Sequence, residues 1–160
     1  MKSLTKEQQR NLASINPYYA KAFEQMKLQI DAKVAESKVK AGKRIREVPS
    51  VSEKKLFDAI MARYKGKVVM VDLWATWCGP CRGAIASFEP RKNKFKDKDV
   101  VFVYITNESS PESKWLEMMA GIEGEHYRLN RKQWDYICDY FGVDGIPSYV
   151  IVDRDGNARL

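Results

Sequence analysis

The sequence predicts an α/β fold in which a buried sheet is flanked by helices. Residues 68–74 (Val-Val-Met-Val-Asp-Leu-Trp) and 100–106 (Val-Val-Phe-Val-Tyr-Ile-Thr) are apolar runs rich in β-branched residues, a pattern typical of strands buried on both faces. Segments with helical spacing of apolar residues lie between such runs. The first run begins after Gly66 and is followed, four residues after Trp74, by Cys78, which forms a Cys-x-x-Cys pair with Cys81. We therefore expect both cysteines at the carboxyl edge of a central strand, where open α/β sheets carry their chemistry.

Length and charge indicate one domain preceded by a leader. A domain of about 110 residues buries an adequate core without disulfide staples, and the chain has 160 residues. Of its net charge of +7, +6 falls in residues 1–50. We therefore expect a basic helical leader, or the remnant of an upstream domain, over residues 1–48, and the main domain over residues 49–160.

Two kinds of targeting segment are missing from the sequence. No stretch reaches the ~18 apolar residues of a membrane span, and residues 1–10 lack the apolar core of a signal peptide. Either the protein is cytoplasmic or a targeting segment lies outside this chain.

The leader contains an amphipathic pattern over residues 17–41. Apolar residues recur there at spacings of three and four, which predicts a helix; they are Tyr19, Phe23, Met26, Ile30 and Val34. Such a narrow stripe can dock on the main domain, pair with another chain or end an upstream domain. The basic cluster at residues 43–46 has no interleaved aromatic residues, which disfavours a nucleic-acid or acidic-membrane role.

Two helices are predicted around the first apolar run. Ser50 or Ser52 can cap the helix before it. Pro80 suits the first turn of the helix after it, which we expect to run toward residue 94 and to bend near Pro90.

The second half of the domain alternates helices and strands. Ser110 and Pro111 suit the start of a helix that ends at residue 121, and Asn130 with Gln133 forms a capping box for another. That helix turns three apolar side chains inward: Trp134, Ile137 and Phe141. Strands are expected at residues 126–129, at the sheet edge, and 148–152, the latter returning as a hairpin through Asp155 and Gly156 over residues 157–160.

The Cys-x-x-Cys pair at a helix start suits thiol–disulfide exchange. Such an enzyme needs one ionised, reachable thiol and a second thiol close enough to release the mixed disulfide. The positive end of the helix favours a thiolate on the first cysteine. We therefore expect Cys78 to be the attacking nucleophile and exposed, and Cys81, one turn deeper, to be the resolving thiol.

A zinc site is the rival interpretation of the two cysteines. Structural zinc normally takes four ligands, and only Cys138 and the single histidine, His126, remain as candidates. Cys138 lies on a helical face beside apolar residues, which favours a buried, inert thiol over a third redox centre. We expect no metal and no organic cofactor.

Two motifs resemble the thioredoxin family. Residues 77–81 (Trp-Cys-Gly-Pro-Cys) are similar to its active-site pentad, and residues 141–148 (Phe-Gly-Val-Asp-Gly-Ile-Pro-Ser) to its second signature. The charged end of the first helix, the segment between Thr106 and His126, and residues 150–156 resemble the TlpA/ResA-like thiol–disulfide oxidoreductases of bacterial envelopes. The resemblance covers about residues 50–160.

The resemblance implies a thioredoxin fold with a mixed central sheet. Compared with the family, this chain is expected to lack the final strand and the final helix. The resemblance also implies a reductant of protein disulfides in the cell envelope or periplasm, supplied with electrons by a membrane or thioredoxin-type donor. No nucleic acid is expected as a partner, and a membrane only through a missing anchor. The alternatives are an oxidase or isomerase, since direction depends on the potential relative to the compartment, and a thioredoxin-fold module kept only for binding.

Asp72 is the third expected catalytic residue. A carboxylate within a core strand is costly to bury, and this one stands where thioredoxins carry a buried acid, six residues before Cys78. Burial would raise its pKa and let it relay a proton to or from Cys81 through water. The alternative is an Asp72 that faces solvent at a sheet edge.

The loop at Pro147 is expected to bind substrate. Chemistry alone favours a trans Ile146–Pro147 bond, whereas the resemblance implies a cis bond beside the cysteines. The backbone of Ile146 would then pair with an extended substrate segment, with Gly145 and Ser148 shaping the loop.

The substrate surface is completed by the pentad itself. Trp77, Gly79 and Pro80 are the remaining expected contacts, and Trp74 is either a wall of the site or plain core.

The sequence departs from the family pattern at two places. Ala86 stands where the family's first helix often has its kinking proline, and Pro90 is the candidate to replace that proline here. Tyr104 stands where many thioredoxins have a lysine facing the buried acid. Both changes bear on the redox potential.

Overall fold

A computed structural model of the chain describes residues 11, 14, 16–42 and 44–160. The chain divides into two compact units, Met1–Val39 and Lys40–Leu160. The first holds most of helix α1 (Pro17–Gly42), which confirms the long helix predicted for the leader. The side chain of Val34, the last residue of its predicted stripe, and residue Lys43 of the basic cluster lie outside the described residues. Within the described part of the chain, no helix is both long and apolar enough to cross a membrane.

The second unit is built on a five-stranded mixed sheet, as predicted. Its strands are β1 (Val68–Leu73), β2 (Val100–Asn107), β3 (Glu125–Leu129), β4 (Ser148–Val152) and β5 (Ala158–Arg159). They lie in the order β3-β2-β1-β4-β5. β1, β2 and β3 run parallel, whereas β4 is antiparallel to both β1 and β5. The first apolar run is therefore the central strand.

Four α-helices cover the sheet: α2 (Glu53–Met61), α3 (Gly79–Phe88), α4 (Glu112–Met119) and α5 (Arg131–Phe141). The predicted bend near Pro90 is confirmed, because α3 gives way there to a 3₁₀ helix over Glu89–Phe95. Proline has no backbone N–H to continue the α-helical hydrogen bonds. A second 3₁₀ turn, Ala62–Tyr64, extends α2.

The helix caps agree only partly with expectation. The capping box of Asn130 and Gln133 is confirmed in both directions at the start of α5. Ser52 occupies the N-cap position of α2, but its side chain makes no capping hydrogen bond. The predicted cap at Ser110 is wrong. Pro111 is the N-cap residue of α4, and the Ser110 hydroxyl accepts a hydrogen bond from the Thr76 N–H.

Residues upstream of position 49 take part in the sheet edge. Ile45 forms a parallel bridge with His126 of β3. The Arg46 N–H donates to the His126 carbonyl, and the His126 N–H donates to the Arg44 carbonyl, both at 2.9 Å. The Arg46 guanidinium also pairs with Glu125. Arg44 and Arg46 of the basic cluster thus form hydrogen bonds with β3 of the same unit.

The two faces of the sheet carry different cores, because successive side chains on a strand point to opposite faces. One face is packed by α2 and α5 and is almost wholly apolar; its largest members include Leu56, Ile60, Leu73, Ile105 and Ile137. The other face holds both cysteines of the motif with Trp74, Ile85, Tyr104, Trp115 and Met119. Alternation along β1 places Asp72 on this second face.

Candidate active site

The two cysteines are joined in a disulfide at the amino end of α3. Cys78 is the N-cap residue of this helix, and Cys81 lies one turn inside it. The backbone N–H of Cys81 donates to Cys78 Sγ at 3.1 Å. A sulfur at this place receives a helix N–H and the positive end of the helix dipole, which both stabilise a thiolate.

Burial of the two cysteines differs from the expectation in one respect. Cys81 is fully buried, as the resolving thiol should be, but Cys78 is only 4% exposed. The prediction of an exposed Cys78 is therefore wrong for the disulfide form, since Ile146 packs against the cluster that contains it. The surface around the disulfide is instead presented by Trp77, which is 62% exposed, and by the exposed residues Gly79 and Pro80.

The loop before β4 lies against the disulfide. The Ile146–Pro147 peptide bond is cis, as the resemblance implied. The carbonyl oxygen of Ile146 is 3.7 Å from Cys78 Sγ. The Ser148 hydroxyl donates to the Gly145 carbonyl at 2.7 Å, so the two residues expected to shape the loop do contact each other across it.

A groove runs from this loop toward α5. Its volume is about 230 Å³, and its lining includes Trp77, Asn107, Ser109, Trp134, Cys138 and Ile146. Cys138 is half-buried in the wall rather than fully buried. Burial, and then Asp135 and Asp139, raise the pKa of Cys138 to about 11. This thiol is therefore protonated at neutral pH, as an inert cysteine would be.

Asp72 is buried, so the alternative of a solvent-facing carboxylate is wrong. Its residue is 5% exposed, and its Oδ1 has no hydrogen-bond partner among the described residues. Burial raises the pKa of Asp72 to about 7, while the charge of Lys92 acts in the opposite direction. Asp72 pairs with Tyr104 on β2 and with Tyr149 on β4. A carboxyl with such a pKa can both take and give a proton near neutral pH.

The two tryptophans near the motif have different places. Trp74 is fully buried and belongs to the core, so it is not a wall of the groove. Trp77 is a wall, and its Nε1 donates to Ser109 Oγ at 2.9 Å.

Sequence reasoning missed the role of two serines at the end of β2. Ser110 Oγ accepts from the Thr76 N–H at 3.0 Å and lies 2.8 Å from Thr106 Oγ1. With the bond from Trp77 to Ser109, these contacts connect both residues before Cys78 to the turn that follows β2. The available signal was the pair Ser109-Ser110 directly after a core strand, a place where open sheets build their sites. The same reasoning also passed over Lys92, which is buried.

The zinc site considered as an alternative has no ligand cluster in the described part of the chain. Among the residues that the structure describes, no group of three or more His, Cys, Asp or Glu side chains is arranged to hold a metal ion. His126 is fully buried on β3, where its Nε2 donates to the Ile122 carbonyl at 3.1 Å.

The family model described as thioredoxin-like matches residues 66–158. This range is more than half of the chain and includes the disulfide, Asp72 and the cis-proline loop. The chain belongs to the thioredoxin-like family, and the predicted fold and family are confirmed.

The similar proteins include several thiol–disulfide oxidoreductases. Over 92 residues, the chain is 39% identical to the thioredoxin-like protein YneN of Bacillus subtilis, covering 58% of this chain and 54% of that protein. Over 92 residues it is 24% identical to the thiol-disulfide oxidoreductase ResA of Bacillus anthracis, covering 58% of this chain and 52% of that one. It thus spans about half the length of these curated relatives.

One solved structure is similar to this chain in both sequence and fold. The crystal structure of a thiol:disulfide interchange protein of the thioredoxin family from Chlorobium tepidum is 27% identical and superposes with a TM-score of 0.52. The match covers 62% of this chain and 71% of that one.

Proposed function

We propose that this chain is a thiol–disulfide oxidoreductase that cycles Cys78 and Cys81 between a disulfide and a dithiol. The observation that carries the proposal is the position of the disulfide. It caps a helix amino terminus, receives a backbone N–H, and lies against the Ile146 carbonyl of a cis-proline loop. A structural disulfide needs none of these neighbours. A reactive disulfide uses the helix amino terminus and the backbone N–H to stabilise the thiolate that forms on reduction.

The exchange reaction takes place in two steps. The Cys78 thiolate of the reduced protein attacks a substrate disulfide, forming a mixed disulfide and expelling one substrate thiolate, which takes a proton from solvent. Cys81 then gives its proton to Asp72, and its thiolate attacks the Cys78 sulfur. The Cys78–Cys81 bond forms, the second substrate thiolate leaves, and two electrons have passed to the substrate.

Substrates of this reaction are extended protein segments that contain a disulfide. The backbone of Ile146 supplies pairing for such a segment without strong side-chain specificity. Trp77, Gly79 and Pro80 supply exposed surface around the sulfurs, and with Pro147 they are the proposed contacts of the bound segment. The adjoining groove offers room for a side chain of the bound segment.

The direction we propose is reduction of protein disulfides in the cell envelope, with electrons from a membrane or thioredoxin-type donor. The names of ResA and of the interchange protein support thiol–disulfide chemistry. The Gly-Pro pair between the cysteines is the choice made by reducing thioredoxins. Detection of the tagged full-length gene product in cell fractions tests the envelope location against a cytoplasmic one.

Reduction of insulin by dithiothreitol tests the activity. The wild-type chain is expected to accelerate the reaction, and C78S to abolish the acceleration because no other thiolate is placed at the helix end. C138S is the matched control, since it also removes one sulfur but leaves the disulfide intact, and should retain activity. A wild-type chain without activity would leave the thioredoxin fold as a binding module and overturn the proposal.

The reduction potential of the Cys78/Cys81 pair tests the direction. Equilibration against glutathione or dithiothreitol should give a value near that of thioredoxin, about −270 mV. A value near −120 mV, that of a strong oxidant, would make the protein an oxidase and contradict the proposed reduction.

A further inference from the structure

Lys92 is a buried lysine on the face of the sheet that carries the cysteines. It lies in the 3₁₀ helix Glu89–Phe95, and its side chain is 4% exposed. Its neighbours Arg91 and Lys94 are exposed. Lysine is almost never buried to this degree unless its charge is compensated. The groups around Nζ should therefore show which interactions compensate the charge.

Two contacts hold the Lys92 ammonium in place. Its Nζ donates to Glu89 Oε2 at 2.6 Å and to the carbonyl oxygen of Glu123. The other oxygen of the same carboxylate, Glu89 Oε1, accepts from the Glu123 N–H at 2.7 Å. The ammonium is thus anchored between the 3₁₀ helix and the loop before β3, which keeps it at a defined position.

The anchored ammonium lies against the strand next to Asp72. Lys92 Nζ is 4.6 Å from the ring centroid of Tyr104 and 5.3 Å from that of Phe102, within the range of a cation–π contact. Tyr104 is the Cα partner of Asp72 in the parallel pair β1 and β2. Alternation places all three side chains, Asp72, Phe102 and Tyr104, on the same face of the sheet.

Among the residues that the structure describes, Lys92 is the cation that acts on Asp72, and the other ionisable groups beside this carboxyl do not provide a second one. Tyr104 and Tyr149 flank it on the two adjacent strands, and burial raises the pKa of each phenol, so both stay neutral. His126 stacks on Tyr104, and burial lowers the pKa of this imidazole to about 4, so it is also neutral at pH 7. Glu89 is engaged by Lys92 itself.

We propose that Lys92 is a positioning residue of the proposed exchange reaction: its ammonium keeps Asp72 partly ionised near neutral pH, so that this carboxyl can accept the proton of Cys81. Without the cation, burial alone would hold Asp72 protonated and unable to act as a base. The cation thus comes from the 3₁₀ segment that follows α3, and not from the strand position occupied by Tyr104. This inference rests on the proposed function for its purpose, but the interaction between Lys92 and Asp72 can be measured without substrate.

The test compares K92M with K94M in the full chain. Titration of the Asp72 carboxyl carbon by NMR in the oxidised protein gives its midpoint directly. A nearby opposite charge lowers the midpoint of a buried carboxyl, and Lys92 acts on Asp72 in this direction, so K92M should move the Asp72 midpoint upward by about one pH unit. At pH 7 this lowers the ionised fraction of Asp72 roughly fivefold. K94M removes the same charge from an exposed position of the same segment and should leave the midpoint unchanged.

Two further variants keep the test decisive. K92R retains the charge and should restore the wild-type midpoint, which a purely structural role for the side chain would not require. If K92M fails to fold, K92Q removes the charge but keeps a hydrogen-bond donor for the Glu89 carboxylate and the Glu123 carbonyl, and it should give the same upward shift. The pH profile of insulin reduction should move in the same direction as the titration.

An unchanged Asp72 midpoint in a folded K92M or K92Q protein overturns the inference. A pH profile that does not follow the titration also overturns it, because Asp72 would then not limit the reaction. If the wild-type chain has no activity in insulin reduction, the proposed function is overturned. The NMR titration would still decide whether Lys92 acts on Asp72.

Discussion

The two faces of the central sheet differ in chemistry although they share the same strands. The face packed by α2 and α5 is built from aliphatic and aromatic side chains. The opposite face buries Asp72, Lys92 and His126 beside the disulfide. Among the described residues, the buried side-chain atoms without a hydrogen-bond partner are Asp72 Oδ1, Trp74 Nε1, Trp115 Nε1 and His126 Nδ1. All four belong to residues of this second face.

This difference indicates how the domain separates stability from reactivity. An unpaired polar group in a buried site costs about 1–3 kcal/mol, so the face with the cysteines is the less favourable one to fold. No described side chain of the apolar face carries such an unpaired atom, and burial there contributes about 25 cal/mol per Å². The same low dielectric that makes burial of the polar groups unfavourable also strengthens their mutual interactions, and such interactions control proton transfer from the Cys81 thiol to Asp72.

The largest expected effect is a loss of stability from the apolar face. Ile60 is fully buried in α2, and I60A should lower the free energy of unfolding by about 2–5 kcal/mol through lost burial and a cavity. Urea unfolding measures this change. Because Ile60 lies across the sheet from the cysteines, alkylation of the reduced, folded protein should retain the wild-type pH dependence.

The matched variant on the other face is I85A. Ile85 is also an isoleucine of low exposure, but it lies in α3 with the disulfide. It should lower stability and also alter the pH dependence of alkylation. An altered alkylation profile in I60A, or an unaltered one in I85A, would show that the two faces are not separate.

The second expected effect is a gain in stability on removing the buried carboxyl. The pKa of Asp72 is raised from 3.8 to about 7, so the unfolded chain loses this proton at lower pH than the folded one. Stability linked to Asp72 is therefore complete below about pH 4 and declines as the pH rises to about 7. At pH 8 the neutral D72N variant should be more stable by on the order of 2–4 kcal/mol.

The same variant should be slower in insulin reduction, because asparagine cannot take the proton of Cys81. Urea unfolding at pH 8 and pH 4 measures the stability, and the difference between D72N and wild type should shrink at the lower pH. An unchanged rate would remove the catalytic role, and an unchanged stability at pH 8 would mean that Asp72 is not a buried acid.

The smallest net effect in the wild-type protein is expected from the dependence of stability on pH that His126 contributes. Burial lowers the pKa of this histidine from 6.5 to about 4, so the unfolded chain takes up the proton first as the pH falls. Stability linked to His126 is complete above pH 6.5 and is lost toward pH 4, by about 1.4 kcal/mol per pH unit. This slope is opposite to that of Asp72, and over this window the two largely cancel in the wild type.

The D72N variant should expose the contribution of His126. Its stability should rise with pH between about 4 and 6.5, and the rise should disappear in D72N/H126F, since the chain has a single histidine. Thermal unfolding at a series of pH values measures both slopes. A slope that persists in the double variant would have to come from other groups and would contradict this account.

Much of the fold could be predicted because it depends on local patterns. The runs at residues 68–74 and 100–106 form β1 and β2, since β-branched apolar residues suit strands buried on both faces. Asn130 and Gln133 form their capping box within a single turn. The motif around Cys78 and the Ile146–Pro147 loop could be found because both are contiguous in the sequence.

The predictions that failed involve partners distant in the chain. Ser110 was expected to cap the next helix, but its hydroxyl accepts from Thr76, 34 residues earlier. Cys78 was expected to be exposed, but Ile146, 68 residues later, packs beside it. No local pattern encodes the contact of Ser110. The resemblance placed the Pro147 loop beside the cysteines, but it did not indicate how completely this loop covers Cys78.

The amino-acid order was sufficient for the central strand, the helix that starts at the cysteines and the family to which the chain belongs, because these depend on periodicity and on contiguous motifs. Only the folded chain decided that Lys92 lies beside Tyr104 on the face of Asp72, since a lysine in a charged segment gives no sign of burial. The protonation of Asp72 depends on that placement, because electrostatic interactions follow distance and burial in space and not separation along the chain.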